Sequence, residues 1–182
     1  MKHELDPRRL HVAAFARSDG RHMGEERLSR FERLMEQSQG LGGETRVSYA
    51  VQGSMRPDAA GQDDAWLHLE AEATLSLVCQ RCLGPVDEVV KVSRDFRFVA
   101  TDALAEVEDE ESEEDVLVLS KEFDLLELLE DELIMATPLV AKHGVCPQPV
   151  KLQAVDADFV EPAQEKPNPF AVLQQLKKKG GD

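Results

Sequence analysis

The chain has 182 residues, with 21 Lys and Arg against 36 Asp and Glu, a formal net charge of -15. That length suits one domain with a tail, no apolar run approaches the roughly 18 residues of a membrane span, and one Trp and one Tyr exclude a broad aromatic platform for stacking bases. Three cysteines, an odd number, and a start (MKHELDPRRL) without an apolar stretch argue against a secreted disulfide framework and predict a soluble, cytoplasmic protein.

Residues 21–37 predict a helix, because Leu28, Phe31, Leu34 and Met35 fall at helical spacing with charges between them; Gly40, Gly42 and Gly43 end it. Residues 44–52 alternate through Val47, Tyr49 and Val51, a strand, and 54–62 read as a polar loop with Pro57 and Gly61. The clearest periodicity follows. Ala65, Leu67, Leu69, Ala71, Ala73, Leu75, Leu77 and Cys79 share one strand face, while Trp66, His68, Glu70, Glu72, Thr74 and Ser76 share the other. At about 3.3 Å per residue this strand spans roughly 50 Å, which predicts a bend or a bulge. Beyond Gly84 and Pro85 the alternation resumes with Val90, Val92, Phe96 and Phe98, interrupted by Arg94, so the two strands predict an antiparallel hairpin.

Residues 102–132 hold 15 acids and one base, Lys121, a local balance of -14 that leaves about -1 for everything else. Within this segment 102–115 reads as a solvated acidic loop and 116–119 as a short strand. Asp124, with Glu127 three residues later, opens a second helix. Its stripe is Leu125, Leu128, Leu129, Glu132 and Met135, widened by Leu126, Leu133 and Ile134; Glu127, Glu130 and Asp131 fall on the wet side, and Pro138 ends it. Five of the nine prolines lie in 147–169, so 147–166 reads as a proline-rich linker. A short helix over 167–179 follows, with Asn168 as cap, Pro169 at the first position, a Phe170–Leu173–Leu176 stripe, and Lys177, Lys178 and Lys179 at its negative end. The expected fold is α+β: residues 1–146 as one domain, built on an antiparallel sheet or partly open barrel with a few packed helices, then the linker and a helical tail.

Four residues carry the most chemistry. Cys79 and Cys82 form C-x2-C at the hairpin turn, and His143 and Cys146 form H-x2-C after Pro138; three sulfurs and an imidazole suffice to close a tetrahedral structural zinc site. The alternative is three reduced cysteines, with Cys79 continuing the apolar face. A redox role fits less well, since a turn follows Cys82 rather than a helix. The phosphate-loop, dinucleotide-binding, zinc-protease and calcium-loop motifs are all missing, and no Ser–His–acid set is marked. The expectation is a protein that is not an enzyme.

Three blocks taken together, VCQRCLGPV, FDLLELLEDELIMATPLVAKHGVC and KPNPFAVLQQLKKK, resemble the YceD family of large ribosomal RNA subunit accumulation proteins in its proteobacterial form, with a looser match at LDPRRL. The resemblance implies a non-enzymatic role in the synthesis, processing or stability of large-subunit ribosomal RNA, hence in ribosome biogenesis. The implied partner is that RNA or a ribosomal precursor, met directly or through a basic ribosomal protein. A chain this acidic lacks the overall basic footprint of an RNA binder, so the rival expectation is an acidic module or chaperone for a basic ribosomal protein. For direct contact the candidates are Arg81, Lys166, Phe170, Leu173, Lys177, Lys178 and Lys179, joined by Arg8, Arg9, Arg17, Arg21, Arg27, Arg30 and Arg33.

Overall fold

The computed structural model describes residues 5–57, 61, 63–109, 112, 114–148 and 158–159. The chain divides into two units, Met1–Gln148 and Pro149–Asp182, and every described helix and strand lies in the first. The expected helix at 167–179 and most of the linker lie outside the described residues. Among those described, no helix is long and apolar enough to cross a membrane.

The first unit is α+β, as the periodicities predict. In chain order it runs α1 (Val12–Arg17), β1 (Arg21–Arg27), α2 (Glu32–Gln37), β2 (Arg46–Pro57), β3 (Asp63–Val78), β4 (Pro85–Val99), α3 (Asp102–Asp109), β5 (Asp115–Val118) and α4 (Leu125–Ala136), with a 3-10 turn at Leu28–Arg30. The strands lie side by side in sequence order in one open sheet. Four strands are antiparallel, but β5 runs parallel to β4, so the sheet is mixed rather than wholly antiparallel. A parallel neighbour requires a crossover of a dozen or more residues, and the segment 100–114, which contains α3, provides it.

The long strand carries the core. Every odd position of β3 from Ala65 to Leu77 is buried, and Leu67, Leu69 and Leu75 are wholly so. Burying each such leucine stabilises the fold by about 1.5–3 kcal/mol. Cα partners step regularly along both sides of β3, so the strand reaches its length without a bulge. From β4 the same face receives Val86, Val90, Val92, Phe96 and Phe98. Helices α1 and α4 cover this face, and α2 packs on α4.

Beyond α1, which the sequence reading did not foresee, and residues 54–57, which extend β2 instead of joining the expected polar loop, two larger segments depart from that reading. Residues 21–27 form the edge strand β1 instead of the first half of a helix; only Leu28, Phe31 and Leu34 keep the buried role that their spacing predicts. Pairing with β2 supplies the backbone hydrogen bonds, and Gly24 makes it possible, since a Cβ there would stand 2.4 Å from the Tyr49 ring. The other departure is α3, which occupies the first part of the expected acidic loop. Thr101 Oγ1 accepts from the Leu104 N–H at 3.3 Å at its start, and Arg97 holds Glu108 at 2.7 Å near its end. None of its residues is buried.

Candidate metal centre

The β3–β4 hairpin closes through residues 79–84. Cys79 N–H donates to the Gly84 carbonyl and Leu83 N–H to the Cys79 carbonyl, each at 2.9 Å, and Leu83 takes the left-handed φ of 58° that this tight turn demands. The turn brings the sulfurs of Cys79 and Cys82 to one side. Pro138 stops α4, and the chain then returns along the hairpin tip, where Gln80 N–H donates to the Ala141 carbonyl at 2.9 Å. Arg81 fastens the returning segment by donating to the carbonyls of His143 and Gly144.

The result is a cluster of Cys79, Cys82, His143 and Cys146 whose ligand atoms all lie within 4.8 Å of one another. Cys79 Sγ stands 3.9 Å from Cys146 Sγ, and Cys82 Sγ 3.4 Å from His143 Nδ1. A tetrahedral zinc with bonds of about 2.3 Å to sulfur and about 2.0 Å to nitrogen requires edges of about 3.8 Å between sulfurs and about 3.5 Å between sulfur and nitrogen. The donors therefore fit that ion. The sulfurs are also too far apart for a disulfide, and all three cysteines are free. Cys79 is buried and the other three residues are half-buried.

The electrostatics suit a metal as well. Backbone N–H groups, that of Cys82 foremost, bond the Cys79 sulfur and pull its thiol down to about 5, against the opposing effect of burial. Burial, followed by the neighbouring sulfurs, pushes Cys146 up to about 11. One thiolate is thus favoured in advance, while the second resists ionisation until a cation offsets its neighbours.

The other expected contact residues are placed unevenly. Arg8 pairs with Asp124 at 3.1 Å, Arg27 with Glu44 at 3.0 Å and Arg30 with Glu26 at 2.9 Å. Arg9 pairs with Glu122, and Arg33 with Glu130 and Asp131. Only Arg17 and Arg21 of the basic residues singled out near the amino terminus lack an ion pair among the described residues. Lys166, Phe170, Leu173, Lys177, Lys178 and Lys179 lie outside the described residues. Sequence reasoning missed Arg81 as a clasp beside the cysteine–histidine cluster, because its carbonyl partners are more than 60 positions away.

Comparison with known proteins agrees with the motif blocks. No solved structure matches the chain. A curated relative from Haemophilus influenzae, the large ribosomal RNA subunit accumulation protein YceD, is 35% identical over 111 residues, which span 60% of this chain and 64% of the relative's length. The family model described as "Large ribosomal RNA subunit accumulation protein YceD" matches residues 67–177, a stretch that contains all four cluster residues, and the chain therefore belongs to the YceD family.

Proposed function

We propose that this protein is a non-enzymatic ribosome biogenesis factor that supports the accumulation of large-subunit ribosomal RNA. Family membership across residues 67–177 is the observation that carries this reading. The site chemistry is consistent with it: four protein ligands close a tetrahedral shell, and a closed shell leaves no position for substrate or activated water. In this reading Cys79, Cys82, His143 and Cys146 hold a structural zinc, which ties the hairpin tip to the segment after α4. Bound zinc supplies cross-linking only. Purified protein should contain about one zinc per chain, and Cys82→Ser should lose the metal and melt several degrees lower. Metal-free wild-type protein with an unchanged melting temperature would remove the zinc.

Contact with the RNA or the ribosomal precursor falls to Arg81 and to the tail residues Lys166, Phe170, Leu173, Lys177, Lys178 and Lys179. Crosslinking in cells, followed by sequencing of the attached RNA, tests this reading: enrichment of large-subunit precursor is expected, and no RNA above background would overturn direct contact. A second reading is favoured by the internal pairing of Arg8, Arg9, Arg27, Arg30 and Arg33, which leaves few of the described amino-terminal cations free to meet phosphate. There the exposed acids of α3 receive a basic ribosomal protein and the RNA is reached through it. Salt-sensitive binding of the purified protein to naked RNA separates the two, because direct phosphate contact releases counterions.

A further inference from the structure

Strand β1 ends the sheet on the side away from α3 and β5 and, among the described strands, pairs with β2 alone. Gly53 N–H donates to the Gly20 carbonyl at 2.9 Å, and Leu28 N–H donates to the Thr45 carbonyl at 2.8 Å, both in the register of the β1–β2 ladder. The even-numbered residues of β1 therefore turn their backbone groups toward β2. Antiparallel ladders alternate, so Arg21, Met23, Glu25 and Arg27 turn theirs outward, where no other described strand pairs with them. Edges of this kind are normally blunted by like-charged side chains, proline, a bulge or a covering element. β1 has no proline and a regular register without a bulge, and its outward charges, Arg21, Glu25 and Arg27, are of both signs, so a second copy can meet them with opposite charge.

The side chains of those same residues stand on the sheet face away from the helices. Met23 is 82% exposed, and Arg21 has no ion-pair partner among the described residues. We propose that β1 is a homodimerisation edge, on which two copies pair antiparallel about a two-fold axis at Met23 and join their sheets into one.

Charge and ladder length together select that register: an axis at Glu26 also opposes Glu25 to Arg27, but it pairs only residues 25–27 of each strand. Outward backbone groups meet only when odd-numbered residues oppose odd-numbered ones, which leaves a short series of alignments. An axis at Gly24 sets Arg21 opposite Arg27, and an axis at Glu25 sets that carboxylate against itself. An axis at His22 sets Arg21 against Met23. With the axis at Met23, Arg21 of each copy faces Glu25 of the other, whose carboxylate it shares with that copy's Arg46 at 2.7 Å, and the two exposed Met23 side chains cover each other. Opposite charges directly across a ladder attract and like charges repel. A charge of -15 per copy opposes association in general, but α3 packs at β4 and β5, the far edge of the sheet. At about 4.8 Å per strand the two acidic segments stay several Debye lengths apart.

Sedimentation equilibrium of the full chain over a range of concentrations tests the proposal. Wild type should show a reversible monomer–dimer equilibrium. Arg21→Glu sets carboxylates against each other at two symmetric places and should raise the dissociation constant about tenfold or more. The double variant Arg21→Glu/Glu25→Arg restores opposite charges in the same register and should recover dimerisation. A wild-type monomer up to the solubility limit would overturn the proposal, as would a double variant that melts like wild type yet dimerises no better than the single. Met23→Cys gives a second readout, because opposed Cα atoms about 5.5 Å apart lie within disulfide reach. Mild oxidation should yield a crosslinked dimer that the wild-type chain does not form, and its absence counts against the edge.

Discussion

Glu130 shows how a residue's role can hide from a periodicity count. Its place on α4 predicts the wet side, yet it is buried, because its carboxylate caps the start of α2. Oε1 accepts the backbone N–H of Arg33 at 2.7 Å and that of Leu34 at 3.2 Å, while Oε2 meets the Arg33 guanidinium at 3.2 Å. Helix starts leave such donors unpaired, and α2 has no side-chain cap of its own from Phe31. Glu130→Ala should cost about 1–3 kcal/mol in chemical denaturation, and Glu130→Gln, which keeps an acceptor oxygen, should cost less. Glu132 answers a different anomaly, the arginine that interrupts the apolar face of β4: Arg94 Nε lies 3.9 Å from its carboxylate and also pairs with Asp115. Burial, partly offset by Arg94, raises the Glu132 pKa. The folded chain then holds this proton more tightly than the unfolded chain does, so the site's contribution is complete at acid pH. It falls as pH rises through the ordinary carboxylate range toward the raised value. Glu132→Gln, uncharged throughout, should therefore stabilise the protein at neutral pH, with a gain that shrinks on acidification; denaturation curves at both pH values check the sign.

At the scale of elements, β3 has two faces with different consequences. Leu69 and Leu75 are fully buried beneath the helices, so replacing either by Ala should cost about 2–4 kcal/mol. Thr74 lies on the opposite face, and Thr74→Ala should cost well under about 1 kcal/mol. Equal losses in denaturant melts would contradict the alternation. Strand β1 shows the limit of the same reasoning: seven residues with helical spacing beyond them lie flat against β2, because tertiary hydrogen bonds outweigh a weak local preference. Helix α3 is the converse, an acidic run that local spacing and one capping threonine wind into about two turns with no core beneath it.

For the whole molecule, the order of the elements explains how one acidic chain keeps distinct surfaces. The hairpin tip with the cysteine–histidine cluster lies at one end of the long β3–β4 ladder, and α3 joins the ladder's other end. The tail 166–182 is proposed as a tethered binding element, since Phe170, Leu173 and Leu176 are too few for a core but suit a groove on a partner. A helix of about ten residues is marginal alone in water and becomes ordered on such a surface. Deleting 166–182 should leave the melting temperature unchanged and abolish association with ribosomal precursors; a drop of several degrees would assign the tail to the fold instead.

Much was legible in the sequence because it depends on neighbours in the chain. Alternation marked β3 and β4 and their buried faces, Asp124 and Pro138 bounded α4, and C-x2-C with H-x2-C named the four cluster residues. What the sequence could not decide depends on partners distant along the chain. Only the folded sheet turned residues 21–27 into an edge, set β5 parallel to β4, buried Glu130 against α2 and brought His143 to within 3.4 Å of Cys82. Local periodicity reports which side of an element is apolar; which other element meets that side is settled by long-range packing and hydrogen bonding.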